Sequence, residues 1–208
     1  MGRPRQISDE QILSTMRRKV RAEGPNVSLN GVAAELGVTV PALLKRFSTR
    51  QALMLAALKP PYPPWLELLE RGPDDRPLHA QLLELFTAML DFFAEYIPCM
   101  IALRESGISP RLYTTKPAPG KAVEAMQGWL RRARRKGLIF APEIETAAFS
   151  ILGTVQGRSF YSYFNKVPFP PSEQQAYASQ LAQLFTRALS TRTPRRRRGR
   201  PERAAPAV

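Results

Sequence analysis

The stretch SLNGVAAELGVTVPALLKRFSTRQAL, residues 28–53, decides the fold of this 208-residue chain. Its apolar residues recur at the spacing of one helix face, and Gly37 follows where a chain leaves a helix with positive φ. Thr39 then caps a second helix in which Leu43 and Phe47 point inward, while small and basic side chains point outward. The pattern predicts two short helices joined by a tight turn, the second suited to a DNA major groove. The apolar face of the first helix consists of Leu29, Val32, Ala33 and Leu36.

The candidate DNA contacts are the helix caps and the outward-facing positions of this stretch. Lys45 points directly away from the packed face, and Arg46 lies beside it on the shoulder of the helix. The predicted DNA-binding set is Ser28, Thr39, Val40, Pro41, Ala42, Leu44, Lys45, Arg46 and Arg50.

A third helix is predicted before this stretch. Ser8 and Gln11 have capping-box spacing, and Gly24 with Pro25 ends the helix. Three helices with a small shared core form the helix-turn-helix arrangement. The alternative is an ordinary three-helix core without a role in DNA binding.

The first 58 or so residues also resemble the tetracycline-repressor-like (TetR) family of transcription regulators. Two departures concern the second helix: the family usually has Tyr at the position of Leu44 and His at that of Arg46. Leu44 cannot donate the hydrogen bond to a phosphate that such a Tyr makes, so Lys45 or Arg46 is expected to replace it. The segments that carry the resemblance are Val32-Ala33, Gly37-Val38, Leu43 to Phe47 and Thr49-Arg50.

Charge is concentrated at the two ends of the chain. The formal net charge is +14, of which residues 1–58 carry +5, residues 59–191 carry +3 and residues 192–208 carry +6. This distribution suits a polyanionic partner, double-stranded DNA above all. No apolar run is expected to reach the roughly 18–20 residues of a membrane span, so no membrane partner is predicted. The single Cys fits a reducing cytoplasm.

The sequence contains no constellation typical of an enzyme, a metal site or a bound cofactor. Its single His, His79, stands near a predicted helix start and cannot complete a Ser-His-Asp set or a metal cluster. Cys99 lies in an apolar context and is expected to be a small buried side chain. We therefore predict a protein that is not an enzyme and holds neither a metal nor a cofactor.

The predicted fold class is all-α, with an N-terminal helix-turn-helix domain and a C-terminal helical effector-binding and dimerisation domain. The prolines of KPPYPP end the helix that begins after Thr49, so the domains are predicted as residues 1–59 and 60–191, followed by a disordered basic tail at 192–208. In the family this connector usually runs on unbroken. Further helices are predicted at 77–96, 98–106 (opened by Pro98), 119–136, 142–165 and 172–190.

The resemblance implies a small-molecule inducer or corepressor bound in the second domain. Aromatic and Met side chains line apolar ligand sites, although for each single residue a place in the core is the more usual explanation. Few acidic residues lie in these helices, which favours an apolar or mildly anionic effector, with Arg104 or Arg158 facing an anionic group. The candidate pocket residues are Phe92, Phe93, Tyr96, Met100, Arg104, Met126, Trp129 and Phe149.

The resemblance also implies a homodimer built from the last two helices, whose two heads read a palindromic operator about 34 Å apart. Small residues recur in the helix 142–165, and helical glycine is costly unless another backbone approaches closely. Close packing within one chain is the alternative. The predicted interface residues are Gly153, Thr154, Gly157, Leu181, Leu184 and Phe185.

The tail RTPRRRRGRPERAAPAV is too charged and too rich in proline to fold alone. Its Gly-Arg-Pro core, with Arg198 and Arg200, resembles an AT-hook that enters a narrow A·T minor groove. Arg3 and Arg5 repeat the pattern more weakly at the N-terminus. The alternative is a cationic tail that binds any DNA.

Two classes of function remain open on sequence alone. One is a dimeric repressor that responds to a ligand. The other is a constitutive or architectural DNA-binding protein without a ligand, which the proline-split connector and the basic tail favour.

Overall fold

The computed structural model of the protein describes residues 7–109, 112, 119–141 and 143–191. Nine α-helices and no β-strand are found among these residues, which confirms the all-α prediction. In chain order the helices are α1 (Asp9–Glu23), α2 (Leu29–Leu36), α3 (Val40–Phe47), α4 (Arg50–Leu58), α5 (Pro64–Arg71), α6 (Leu78–Glu105), α7 (Pro119–Arg135), α8 (Ile144–Asn165) and α9 (Pro171–Ser190).

Helices α1 to α4 form one N-terminal unit, called the head below, whose helix starts are fixed by side-chain caps. Ser8 and Gln11 form a reciprocal capping box on α1. Thr39 caps α3 through the Ala42 amide at 3.3 Å. Gly37 ends α2 in the left-handed conformation, with φ 67° and ψ 32°, which a side chain would make costly. The buried side chains that hold these helices together include Ile12, Met16, Val20, Val32, Leu43, Leu53 and Met54.

The proline-rich segment after the head interrupts the helix, as the sequence predicts. α4 ends at Leu58, and α5 begins at Pro64, where a proline loses no hydrogen bond. α5 then packs against α6 and α7. The head is therefore joined to the rest of the chain by five non-helical residues instead of one continuous helix.

The prediction of separate helices at 77–96 and 98–106 is wrong, because α6 runs unbroken from Leu78 to Glu105 with Pro98 inside it. Proline removes one i→i−4 hydrogen bond, which usually ends or kinks a helix. Here Ile97, Cys99 and Leu103 are buried on either side of Pro98, and this packing holds the helix together. The remaining predicted helices agree with α7, α8 and α9 to within two residues.

α6 is the central helix of the molecule. It packs against α8 and α9, against α5, and against α1 and α4 of the head. Its length and a mean hydropathy of 1.4 over 18 residues meet the criterion for a membrane span, contrary to the sequence expectation. These apolar residues are mostly buried between other helices, which accounts for their composition.

Candidate functional site

The two helices α2 and α3 present the surface that the sequence assigns to DNA. Leu43 is buried and Phe47 half-buried against the head, as the helical spacing predicts. The opposite side of α3 is exposed at Pro41, Ala42 and Lys45. Among the other predicted contacts, Ser28, Thr39 and Arg46 are exposed, whereas Val40, Leu44 and Arg50 are half-buried.

The two basic residues of α3 differ in their surroundings. Arg46 donates from Nη1 to the Ile7 carbonyl at 2.5 Å and lies 3.2 Å from a carboxylate oxygen of Asp9. Its guanidinium therefore fastens α3 to the start of α1. Lys45 is exposed and makes no ion pair with any residue that the structure describes. Of the two, Lys45 is the side chain available to a partner.

Arg50 also has a structural role that the sequence did not reveal. Its Nη2 donates to the carbonyls of Pro25 at 3.0 Å and Val27 at 3.1 Å, in the loop before α2. In the same unit, Arg17 donates to the Ala57 carbonyl at 2.9 Å. Both guanidinium groups satisfy carbonyls at loops or helix ends. The signal for this role in the sequence is weak. The Gly24-Pro25 loop leaves carbonyls that need donors, but no residue near the loop in sequence identifies which side chain donates.

The basic residues assigned to the ends of the chain lie outside the described residues. They are Arg3, Arg5, Arg198 and Arg200.

The predicted pocket residues of α6 form an aromatic cluster with Trp65 of α5. Phe92 lies 4.9 Å from Tyr96 and 5.5 Å from Phe93 between ring centroids. Trp65 contacts Phe92 and Phe93 at 6.4 and 5.9 Å. All four side chains are buried, so this cluster packs α5 onto α6.

The other predicted pocket residues are dispersed. Met126 is fully buried, and Trp129 borders a small polar recess with Arg71 and Arg76. Met100 is half-buried and Arg104 is exposed. Phe149, on α8, is 56% exposed on the outer surface.

A cleft of about 190 Å³ lies between α6 and α8, and of the predicted pocket residues Phe93 lines it. Its remaining walls were not predicted: five of them are neither aromatic nor Met, and the aromatic Tyr163 and Phe169 lie about seventy positions from Phe93 in the sequence. Pro98 inside an apolar helix was the signal that marked this place. The cleft is lined by Phe93, Ala94, Ile97, Pro98, Ser159, Ser162, Tyr163 and Phe169.

The outer face of α8 carries an exposed apolar surface, called the α8 patch. Phe164 is 65% exposed and stacks on Phe160 at 6.0 Å between ring centroids. Among the residues that the structure describes, a Cβ atom added to Gly153 or Gly157 meets nothing within 4 Å. Close packing within the chain therefore does not explain these two glycines. The patch consists of Phe149, Gly153, Gly157, Phe160, Tyr161 and Phe164.

The predicted interface residues of α9 lie in different environments. Leu181 is buried within the chain, and Phe185 packs on Phe86 of α6 at 5.5 Å between ring centroids. Leu184 is 59% exposed. On α8, Thr154 is half-buried and its hydroxyl donates to the Ser150 carbonyl at 2.6 Å.

The lone cysteine and histidine show no catalytic arrangement. Cys99 is buried, its Sγ lies 3.4 Å from the Glu95 carbonyl, and burial raises the pKa of its thiol to about 11. His79 is half-buried near the start of α6. Within the described ranges, no three His, Cys, Asp or Glu side chains are grouped as metal ligands would be.

Comparison with solved structures identifies the architecture. The chain is similar to the TetR-family regulator PfmR from Thermus thermophilus, with a TM-score of 0.62 and 19% identity over 85% of this chain and 97% of that one. It is also similar to a tetR-family regulatory protein from Rhodococcus RHA1, with a TM-score of 0.60 and 15% identity over 91% and 100% of the two chains. A third similar structure is a TetR transcription regulator from Haloarcula marismortui, with a TM-score of 0.60 and 16% identity over 88% of this chain and 98% of that one.

No protein-family model and no curated protein sequence matches the chain. The structural similarity nevertheless extends over nearly the whole length of these proteins at very low identity. The chain therefore has the fold of TetR-family transcriptional regulators, with an N-terminal helix-turn-helix and a C-terminal helical domain, as the sequence resemblance predicts.

Proposed function

We propose that this protein is a dimeric DNA-binding transcriptional regulator, a repressor that a small-molecule effector releases from its operator. The observation that carries the proposal is α3, a short helix of a TetR-type head that exposes Pro41, Ala42 and Lys45 while Leu43 anchors it from behind. Small side chains let such a helix approach base edges, and a free lysine reaches bases or phosphates. Residues 1–59 would bind DNA in the cytoplasm, and residues 60–191 would dimerise and bind the effector.

The α8 patch supports dimerisation. Four aromatic side chains are exposed on one face of a helix whose charged residues are Glu145 and Arg158. A contiguous exposed apolar surface marks an interaction site. A two-fold dimer through this face would present two heads, and two half-sites about one DNA turn apart would then form a palindrome.

The first test is selection of bound sequences from a random double-stranded DNA library by the full-length protein. We expect an enriched motif with two-fold symmetry. Lys45→Ala should weaken binding to that motif, and the slope of log affinity against log salt should change by about 0.9 if one phosphate contact is lost. Lys121→Ala, an exposed lysine on α7, is the matched control.

Enrichment of no sequence, or a motif without symmetry, would contradict a dimeric operator-binding protein. If Lys45→Ala and Lys121→Ala behave alike, α3 is not the reading helix.

A constitutive or architectural DNA-binding protein is the second candidate. It is favoured by the interruption between Leu58 and Pro64, which removes the continuous connector that would transmit a signal to the head. A thermal-shift screen distinguishes the two, since a ligand at 100 times its dissociation constant stabilises a protein by about 2.7 kcal/mol. A repressor requires a stabilising compound that also lowers operator affinity.

A further inference from the structure

The cleft between α6 and α8 offers a ligand hydrogen-bond acceptors and no charge. Its eight lining residues are all neutral. The Ser159 hydroxyl donates to the Val155 carbonyl at 3.1 Å, and the Ser162 hydroxyl donates to the Val167 carbonyl at 2.5 Å. Since each hydroxyl has one proton, both serines present only lone pairs to the cleft. Tyr163, whose pKa is raised by burial, keeps its proton and can donate or accept.

Pro98 adds a further acceptor. Proline has no N–H, so the carbonyl of Ala94, four residues earlier, loses its helical donor. Ala94 and Pro98 both line the cleft. Because helical carbonyls point toward the residue four positions later, the Ala94 carbonyl is directed toward Pro98. A carbonyl that lacks its helical donor in a partly enclosed apolar wall carries a free-energy cost. A ligand that donates a hydrogen bond to it removes that cost.

One cation lies against a residue of the cleft wall. The Arg158 guanidinium lies over the ring of Phe169, 3.9 Å from its centroid, and Phe169 stands in the cleft wall. Arg158 itself is not among the residues that line the cleft.

The size of the cleft limits the ligand to one small ring system. A dry cavity of about 150 Å³ accommodates benzene in another protein, and this cleft measures about 190 Å³. Phe93, Ile97 and Phe169 supply apolar and aromatic contacts.

We propose that this cleft binds a small, neutral, aromatic molecule that carries a hydrogen-bond donor, of the phenol or indole class, and that the Ala94 carbonyl freed by Pro98 accepts that donor. This assignment rests on the proposed function for its role as the effector site. α6 also touches the head: Glu95, beside the cleft residues, lies 3.9 Å from Arg21, and just after the helix the Ser106 hydroxyl contacts Met54 Sδ at 3.4 Å.

The test compares indole with indene, which has the same shape and lacks the N–H. Calorimetric titration of the full-length protein should show indole binding about 2- to 10-fold more tightly, the ratio expected for one net hydrogen bond. Indole-3-carboxylate, the anionic analogue, should bind more weakly than indole.

Two variants locate the interaction. Pro98→Ala restores an N–H for the Ala94 carbonyl, so the indole-to-indene ratio should fall to about one while the helix is retained. Ala94→Trp, at an exposed position on the cleft wall, should abolish binding of both compounds, and Glu124→Trp on α7 is the control. Circular dichroism confirms that each variant is folded.

Equal affinities for indole and indene, absence of binding at millimolar concentration, or tighter binding of the carboxylate would overturn the ligand class. A preference for indole that survives Pro98→Ala would overturn the role of the carbonyl, and binding that survives Ala94→Trp would overturn the site. Operator affinity is measured separately. If indole binds as described without changing operator affinity, the site stands and the effector role fails.

Discussion

Replacement of Gly153 by a larger residue tests the α8 patch most directly. The change should stabilise the single protomer and weaken the dimer, and the two effects can be measured separately. Glycine inside a helix is less favourable than alanine by about 1 kcal/mol, and leucine is nearly as favourable as alanine. No atom of the described part of the chain lies within 4 Å of a Cβ at this position. An isolated protomer should therefore gain about 1 kcal/mol of stability from Gly153→Ala or Gly153→Leu.

Association should change in the opposite direction if a second copy packs closely on this face. Overpacking a well-fitted contact costs about 1–3 kcal/mol per side chain, and a two-fold dimer contains the change twice. Gly153→Leu should then weaken the dimer by about 2–6 kcal/mol, which is at least 30-fold in its dissociation constant.

Sedimentation across a protein concentration series measures the dimer, and urea unfolding of the dissociated chain measures the protomer. Gly128→Ala on α7 is the matched control, since its added Cβ meets Arg132 Nη1 at an ordinary 3.5 Å. An unchanged or tighter Gly153→Leu dimer would refute close packing through this face.

Three further predictions concern other parts of the chain. At pH 8 native Cys99 should react with a thiol reagent about a hundredfold more slowly than in the unfolded chain, since burial raises its pKa from 9.0 to about 11. The native state therefore keeps the thiol proton that the unfolded state loses, so stability should fall as pH rises from about 9 to 11. Arg50→Ala should lower the free energy of unfolding by about 1–3 kcal/mol, since two carbonyls lose their donor, and should lower the urea midpoint accordingly; a direct DNA contact alone would leave the midpoint unchanged. Deletion of residues 192–208 should weaken DNA binding and flatten its salt dependence, and an AT-hook requires the loss to be larger on A·T-rich flanks than on G·C-rich flanks.

Local chemistry made the head predictable from its sequence. Ser8 with Gln11, Gly37 and Thr39 act within four residues of themselves, so their spacing alone places the helix ends. The same locality makes the break before Pro64 predictable, since each proline disfavours a helical conformation at the residue before it.

Features that depend on distant partners were not predictable in this way. The ties of Arg46 to Ile7 and of Arg50 to Val27 join residues 39 and 23 positions apart. The continuity of α6 through Pro98 depends on helices that pack against it, which outweigh the local preference of proline. The cleft combines residues of α6 and α8 that are about sixty positions apart, so no window of sequence contains it.

Phe149 shows how an aromatic side chain misleads. Its type suggested a pocket wall, yet it lies with Gly153, Phe160 and Phe164 on one uncharged helix face. Their helical spacing places these residues on one face, and it is this shared face, more than the type of any one residue, that indicates an association surface.

The placement of α6 has a consequence for how the molecule unfolds. One long buried helix serves the core of the head and the core of the C-terminal domain at once, with Leu103 and Ala102 fully buried at one end and Leu82 and Phe86 at the other. Neither core can unfold without exposing part of this helix, even though the chain between them, residues 59–63, is not helical. Heating should therefore give a single cooperative transition, and the amides most protected from hydrogen exchange should lie in α6.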